Sequence, residues 1–259
     1  PSQIADAPNA QDLPDDIKGD IEFKDVFFSY DKENFILQNI NLKIPAGTTA
    51  ALVGKSGVGK TTIACLIPRF YDPISGIVKI DNFNIKDIKV DSLREKIGIV
   101  MQDPFLFYGT VLDNITLGRE NYSADLLNQA TKAAHVDEFI EKLPEGLNTI
   151  IGERGSRLSQ GQKQRVALAR ILFMKPPILI IDEGTSSLDL ESEQFIQEAL
   201  KELRKNRTTL IIAHRLSTIK DADTIFVVEK GGIVEQGKHE ELMSSSKVYK
   251  NLYNRLTVY

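Results

Sequence analysis

The string Gly54-Lys55-Ser56-Gly57-Val58-Gly59-Lys60-Thr61-Thr62 has the residue types and spacing of a phosphate-binding loop, G-x-x-x-x-G-K-S/T. Gly54, Gly57 and Gly59 permit backbone angles and close approaches that a Cβ would block, so the N–H groups of the loop can wrap an anion. The helix that must follow aims its unpaired N–H groups at the same place. Lys60 has the length to reach the β- and γ-phosphates of a nucleotide, and the hydroxyl of Thr61 is a hard ligand suited to Mg²⁺.

Such residues need a strand, a turn and a helix to hold them, and the flanking sequence supplies the pattern. Ala50 to Val53 reads as a buried strand and Ile63 to Ile67 as the start of a helix, which Pro68 kinks or ends. Upstream, Ile21 and Phe23 alternate with Glu22 and Lys24, and Ile40, Leu42 and Ile44 alternate before the turn at Pro45, as half-buried antiparallel strands do. Gly76 to Asp81 and Ile97 to Met101 predict further strands, the second ending at Gln102. From about 103 to 177 the pattern is mostly helical, with Ser123 the N-cap of one helix through Leu126, Leu127, Ala130, Ala134 and Phe139, stopped near Pro144. Beyond Pro177, strands at Ile178 to Ile181 and Thr208 to Ala213 run into Asp182 and His214. Glu191 to Lys205 predicts an amphipathic helix, and Lys230-Gly231-Gly232 the turn of a hairpin. Strands alternating with helices predict an α/β fold, with a mostly parallel sheet, an N-terminal antiparallel β subdomain and an inserted α-helical subdomain. Ligands then belong at the carboxyl ends of the strands, where Gly54, Gln102, Asp182 and His214 all fall.

At 259 residues and 42% hydrophobic, the chain can bury a sizeable core. Its net charge of −4 comes from 32 basic and 36 acidic residues with no block of like charge, so a nucleic-acid surface is not indicated. Cys65 is the only cysteine, which excludes a disulfide within the chain, and its place after the loop is that of a small buried hydrophobe. The apolar runs are strand-sized, far below the ~20 residues of a membrane span. No signal peptide is visible, so any action on a membrane is expected from the cytosolic side and through a partner. Residues 1–19 are polar and acidic with three prolines and no periodicity, and are expected to be a linker or extended arm.

Further strings make a family recognisable. Leu158-Ser159-Gln160-Gly161-Gln162 resembles the LSGGQ signature of ATP-binding cassette (ABC) proteins, Ile178 to Glu183 their Walker B strand, and Ser186-Ser187-Leu188-Asp189 their D-loop. Gln102 falls where the Q-loop glutamine does, His214 matches the switch histidine and Tyr30 the aromatic A-loop. The strings Arg69-Phe70-Tyr71-Asp72-Pro73, Gln102 to Phe107, Asp113-Asn114-Ile115, Leu143 to Gly146 and Gly152-Glu153-Arg154-Gly155 are similar to those of the exporter branch, where the last is the X-loop that senses the membrane domain. The resemblance runs from Asp20 to the C-terminus. It implies a RecA-like P-loop NTPase core, ATP and Mg²⁺ as ligands, and a site completed by a second cassette. It also implies a transmembrane partner domain, joined where the acidic arm lies, at the cytoplasmic face of the cell membrane.

Roles follow for single residues, each beside a plainer one. Asp182 would sit on Mg²⁺ with Thr61 and Gln102, and Glu183 would polarise the attacking water; by themselves the two carboxylates read equally as a surface turn. A neutral His214 would hydrogen-bond the γ-phosphate, whereas a lone histidine is more often structural, which is the reading for His135 and His239. Tyr30 would stack on adenine, or join Phe27 and Phe28 in a core. Ser159, Gly161 and Gln162 would form an anion site ahead of the helix from Lys163 towards Phe173, for the γ-phosphate held by the other cassette, or Ser159 would merely cap that helix. Two departures stand out. Gln160 replaces the second glycine of the signature, adding a Cβ that restricts φ, and Gly184 replaces the usual alanine. The expected function is the ATP-hydrolysing domain of an ABC exporter. Two rivals are a soluble ABC ATPase acting on nucleic acid or ribosomes, which usually has two cassettes or a long coiled coil, and a regulatory module of a channel, which would not need the complete catalytic set.

Overall fold

The computed structural model describes residues 4–31, 33–183, 189–213 and 215–256. In chain order the elements are β1 (Ile21–Phe28), β2 (Leu37–Ile44), β3 (Thr49–Val53), α1 (Lys60–Leu66), β4 (Ser75–Ile80), β5 (Phe83–Asn84), α2 (Val90–Glu95), β6 (Ile97–Val100), α3 (Val111–Thr116), α4 (Ala124–Ala133), α5 (Asp137–Ile140), α6 (Gln160–Met174), β7 (Ile178–Asp182), α7 (Leu190–Arg204), β8 (Thr208–Ile212), α8 (Leu216–Lys220), β9 (Thr224–Glu229), β10 (Gly232–Gly237), α9 (His239–Ser245) and α10 (Lys247–Leu256). They group into two compact units, one drawn from 1–97, 177–183 and 206–259, the other from 98–176 and 184–205.

The first unit holds the predicted strands. β2-β1-β4-β5 is antiparallel, with Ile21 opposite both Ile44 and Ile80, so that alternate residues Ile21, Phe23, Ile40, Leu42 and Ile44 are buried as their period of two requires. In the second sheet the order within this unit is β10-β9-β3-β8-β7. β3 runs parallel to β8 and β9, and β7 parallel to β8. Leu52, Ile178, Leu179 and Leu210 are fully buried there, each contributing roughly 2 kcal/mol, which is why these strands are continuous apolar runs. The hairpin forms, but Lys230 and Gly231 alone make the turn, both at positive φ (50° and 77°), and Gly232 already belongs to β10.

The N-terminal arm is extended and also docked. Leu13 and Ile17 are buried, and the Asp81 carboxylate accepts the N–H groups of Lys18, Gly19 and Asp20 at 2.9, 3.0 and 2.8 Å. Asp12 meets Lys89 at 2.8 Å and Asp15 meets Lys96 at 2.6 Å, so the acidic residues that gave the arm its linker-like composition tie it to the body.

The second unit is helical. Thr110 and Ser159 head α3 and α6 with reciprocal capping boxes, and Ser123 caps α4 as expected. The single helix expected from Ser123 to Pro144 is instead two. His135 takes φ 54°, the N–H of Val136 returns to Thr131 O at 2.8 Å, and α5 starts afresh at Asp137. α7, expected among the alternating elements of the core, packs on α6 and groups with the helical unit, and Ile196, Ala199, Leu200 and Leu203 are its buried residues.

Candidate nucleotide-binding site

The phosphate loop lies in the first unit between β3 and α1. A Cβ on Gly54 would stand 2.4 Å from the Val228 carbonyl oxygen, because the loop starts hard against β9. Gly59 caps α1 at φ 106°, a left-handed conformation. Gly57 is exposed at φ 81°, and a Cβ there would meet nothing within 4 Å. Lys60 is 6% exposed and its Nζ donates to the carbonyls of Gly54 and Lys55, both at 2.8 Å, holding the ammonium across the loop. Burial pulls the Lys60 pKa below its ordinary value, and the charge of Asp182 opposes that shift. Ser56 and Thr61 are exposed, whereas Lys60 and Thr62 face inward. α1 stops at Leu66, ahead of Pro68. Cys65 is half-buried rather than buried, and burial together with Asp182 raises its thiol pKa.

Asp182 is the last residue of β7. Glu183 follows at 9% exposure, its N–H donating to Ile212 O of β8 at 3.2 Å. Its Oε1 accepts the Thr218 hydroxyl at 2.6 Å, and Oε2 is buried with no partner among the described residues. The pair is thus a half-buried and a buried carboxylate, not a surface turn. Nothing in the sequence flagged Thr218, since 35 positions separate it from Glu183 and no motif spacing links them. His214 and the stretch Gly184 to Leu188, with the Gly184 departure, lie outside the described residues.

Tyr30 is 55% exposed, which removes it from the core. Its ring stands perpendicular to Phe28 (4.8 Å, 89°) and to Tyr71 (5.1 Å, 85°), and its hydroxyl lies 3.1 Å from that of Thr62. The aromatic surface is therefore built against the phosphate loop. Tyr71 was visible only as a member of the Arg69 to Pro73 string.

The remaining candidates belong to the second unit. Gln102 is exposed just past β6. Ser159 Oγ accepts from Gln162 N (3.3 Å) and Gln162 Oε1 from Ser159 N (2.9 Å), so Ser159 does cap α6. Gln160 is the first residue of α6 and has ordinary negative φ, so its Cβ imposes no backbone strain there. Its side chain donates to Asp103 at 3.1 Å, and Gly161 is buried. Asp189 caps α7, accepting from Ser192 N at 2.8 Å, a bond that lowers its pKa. His135 bridges Glu138 (3.1 Å) and Glu198 (3.2 Å), and His239 bonds the Tyr249 hydroxyl at 2.7 Å, the structural roles expected for both.

The sequence model of the family described as ABC transporter matches residues 37–186, more than half of the chain, taking in the phosphate loop, Gln102, the signature and the Asp182-Glu183 pair. The chain belongs to the ABC transporter family. It is 50% identical over 250 residues to the uncharacterized ABC transporter ATP-binding protein YwjA of Bacillus subtilis (strain 168), covering 96% of this chain and 43% of that protein. It is 51% identical over 252 residues to the ATP-dependent lipid A-core flippase of Desulfotalea psychrophila, covering 97% of this chain and 44% of that one. A solved structure of a bacterial Atm1-family ABC exporter with ATP bound is similar with a TM-score of 0.89 at 44% identity, over 98% of this chain and 44% of the other. The chain thus spans less than half the length of these relatives. Its fold is that of an ABC ATPase, and it corresponds to the ATP-binding part of these exporter-type relatives. The residues present fit ATP: an open glycine cradle, a buried lysine across it, and an exposed tyrosine beside it.

Proposed function

We propose that this domain binds Mg·ATP on the loop Gly54 to Thr62, pairs head-to-tail with a second cassette, and hydrolyses ATP to drive a transmembrane domain at the cytoplasmic face of the cell membrane. The observation that carries this reading is Glu183. It is a buried carboxylate at the end of β7 with one oxygen bonded and the other unpartnered among the described residues, in the same unit as Asp182, Lys60 and the glycine cradle.

Tyr30 stacks on the adenine, and Lys60 exchanges the Gly54 and Lys55 carbonyls for phosphate oxygens. Thr61 and Asp182 hold Mg²⁺, which when bound neutralises charge on the phosphates. Glu183 accepts a proton from the water as that water attacks in line. The resemblance alone assigns Gln102 and His214 to the same reaction. Two features support partners. At the head of α6 the capping box uses the N–H of Gln162 and leaves those of Gln160 and Gly161 for an anion on another cassette. Met101, Phe105, Phe107 and Tyr108 are exposed large apolar side chains grouped in sequence on the second unit, a surface suited to a membrane domain. No helix of the described residues is long and apolar enough to cross a membrane, so in this reading the spans belong to the partner domain. The net charge of −4 favours neither DNA nor RNA as a partner.

The test is Glu183→Gln in the natural full-length polypeptide. Phosphate release should fall roughly 10²–10⁴-fold with ATP binding retained, as expected for loss of a general base. Wild-type turnover in that variant would remove Glu183 from the reaction.

A further inference from the structure

Thr218 and Glu183 are 5% and 9% exposed, and a 2.6 Å hydrogen bond joins them. We propose that Thr218 is a positioning residue for ATP hydrolysis: by donating to Oε1 it fixes the Glu183 carboxylate so that Oε2 faces the attacking water. The inference rests on the reading of Glu183 as general base.

Three observations carry it. First, the bond is one-sided. A glutamate buried for structure alone would have both oxygens satisfied, because an unpartnered buried carboxylate oxygen carries its full desolvation cost. Here Oε2 has no partner among the described residues, as is required of an oxygen reserved for a water that arrives with the substrate. Second, the donor is rigid. Thr218 is β-branched and sits on α8, which packs on β3, while Ile219 beside it is 1% exposed and donates its N–H to Arg215 O at 3.2 Å. Third, the carboxylate is held at both ends of its side chain. The Glu183 N–H donates to Ile212 O at the end of β8, and Thr218 lies on the helix that follows β8. Three side-chain torsions separate those anchors, and the hydroxyl removes their freedom at the reacting end.

In the step itself the water oxygen bonds to the γ-phosphorus, the bond to the β,γ-bridging oxygen breaks with its electron pair leaving on ADP, and the water proton goes to Glu183 Oε2. The Thr218 proton stays on its oxygen throughout. Since the bond to a charged carboxylate is lost in Thr218→Val, that variant should lower kcat for phosphate release roughly 10–100-fold. KM and nucleotide affinity should be unchanged because valine keeps the shape, whereas Tm should fall by a few degrees because Oε1 is left buried without its donor.

The experiment compares T218V, T218S and E183Q in the natural full-length polypeptide, following phosphate release, nucleotide binding and thermal unfolding. T218S, which restores the hydroxyl, should recover turnover to within about threefold. T218V added to E183Q should cost nothing more. Turnover of T218V at or above wild type overturns the inference, as does a T218S as slow as T218V, or a T218V whose KM rises with its loss of kcat. Should T218V fail to fold, T218A is read in the same way. E183Q slow beside an unaffected T218V would sink only the role of Thr218, whereas E183Q turning over like wild type would sink the base reading beneath it.

Discussion

Replacing Arg165 by methionine tests what holds the signature helix in place. The guanidinium of this α6 residue lies 4.9 Å from the ring centroid of Phe139 on α5 and 5.2 Å from that of Phe195 on α7. Its Nη1 donates to His135 O at 3.1 Å and to Glu138 at 3.3 Å, and the residue is 7% exposed. Two desolvated cation–π contacts are worth about 1 kcal/mol each, and the bond to a backbone carbonyl about 1 kcal/mol more. Glu138 is well exposed, so its ion pair adds only about 0.5 kcal/mol. Against these stands Nε, buried with no partner among the described residues, whose removal returns about 1 kcal/mol. Methionine keeps the apolar stem, so the net loss should be about 2–3 kcal/mol. For a chain of this length that lowers Tm by about 4–12 °C, read by calorimetry and checked by urea unfolding at constant m. A variant as stable as wild type, or more so, would show that the buried cation costs as much as its contacts return and that α6 is held by apolar packing alone.

Further outcomes can be stated briefly. Tyr30→Ala should weaken ATP binding by about 1–3 kcal/mol, or roughly 5- to 150-fold, in a nucleotide titration, whereas Tyr30→Phe loses only the bond to Thr62 and should stay within about fivefold. Equal binding by Y30A and wild type would end the stacking reading. Burial, and then the neighbouring Tyr253, push the Tyr249 pKa from 10.0 up to about 12. A raised folded-state value means stability is fully present below pH about 10 and lost as pH rises towards about 12, because the unfolded chain gives up the proton first. The free-energy gap between wild type and Tyr249→Phe should therefore narrow over that range, and a gap independent of pH would contradict it.

What could be read from the chain was what is local in it. A strand, a glycine turn and a helix in succession revealed the phosphate loop. Apolar runs ending in Asp182 and at Ala213 put the chemistry at strand ends, and alternation at Ile21, Phe23 and Ile40 to Ile44 identified the antiparallel sheet. These signals survive because neighbouring residues share one element, whose period decides which side chains are buried. The docked arm was not legible, since its acidic composition is that of a linker until Asp81, Lys89 and Lys96 are brought beside it. Nor was the break at His135, where one residue in a left-handed conformation outweighs a continuous helical pattern. Gln160, which stands for the second glycine of the signature, lies in the first turn of α6 with ordinary negative φ. Sequence alone determined the family and the fold class, because the motifs that carry them are short contiguous strings and the strand and helix periods lie between them. Only the tertiary structure decided that Thr218 meets Glu183 and that Tyr71 and Thr62 set Tyr30, because those partners come from different elements and converge only when the sheets assemble.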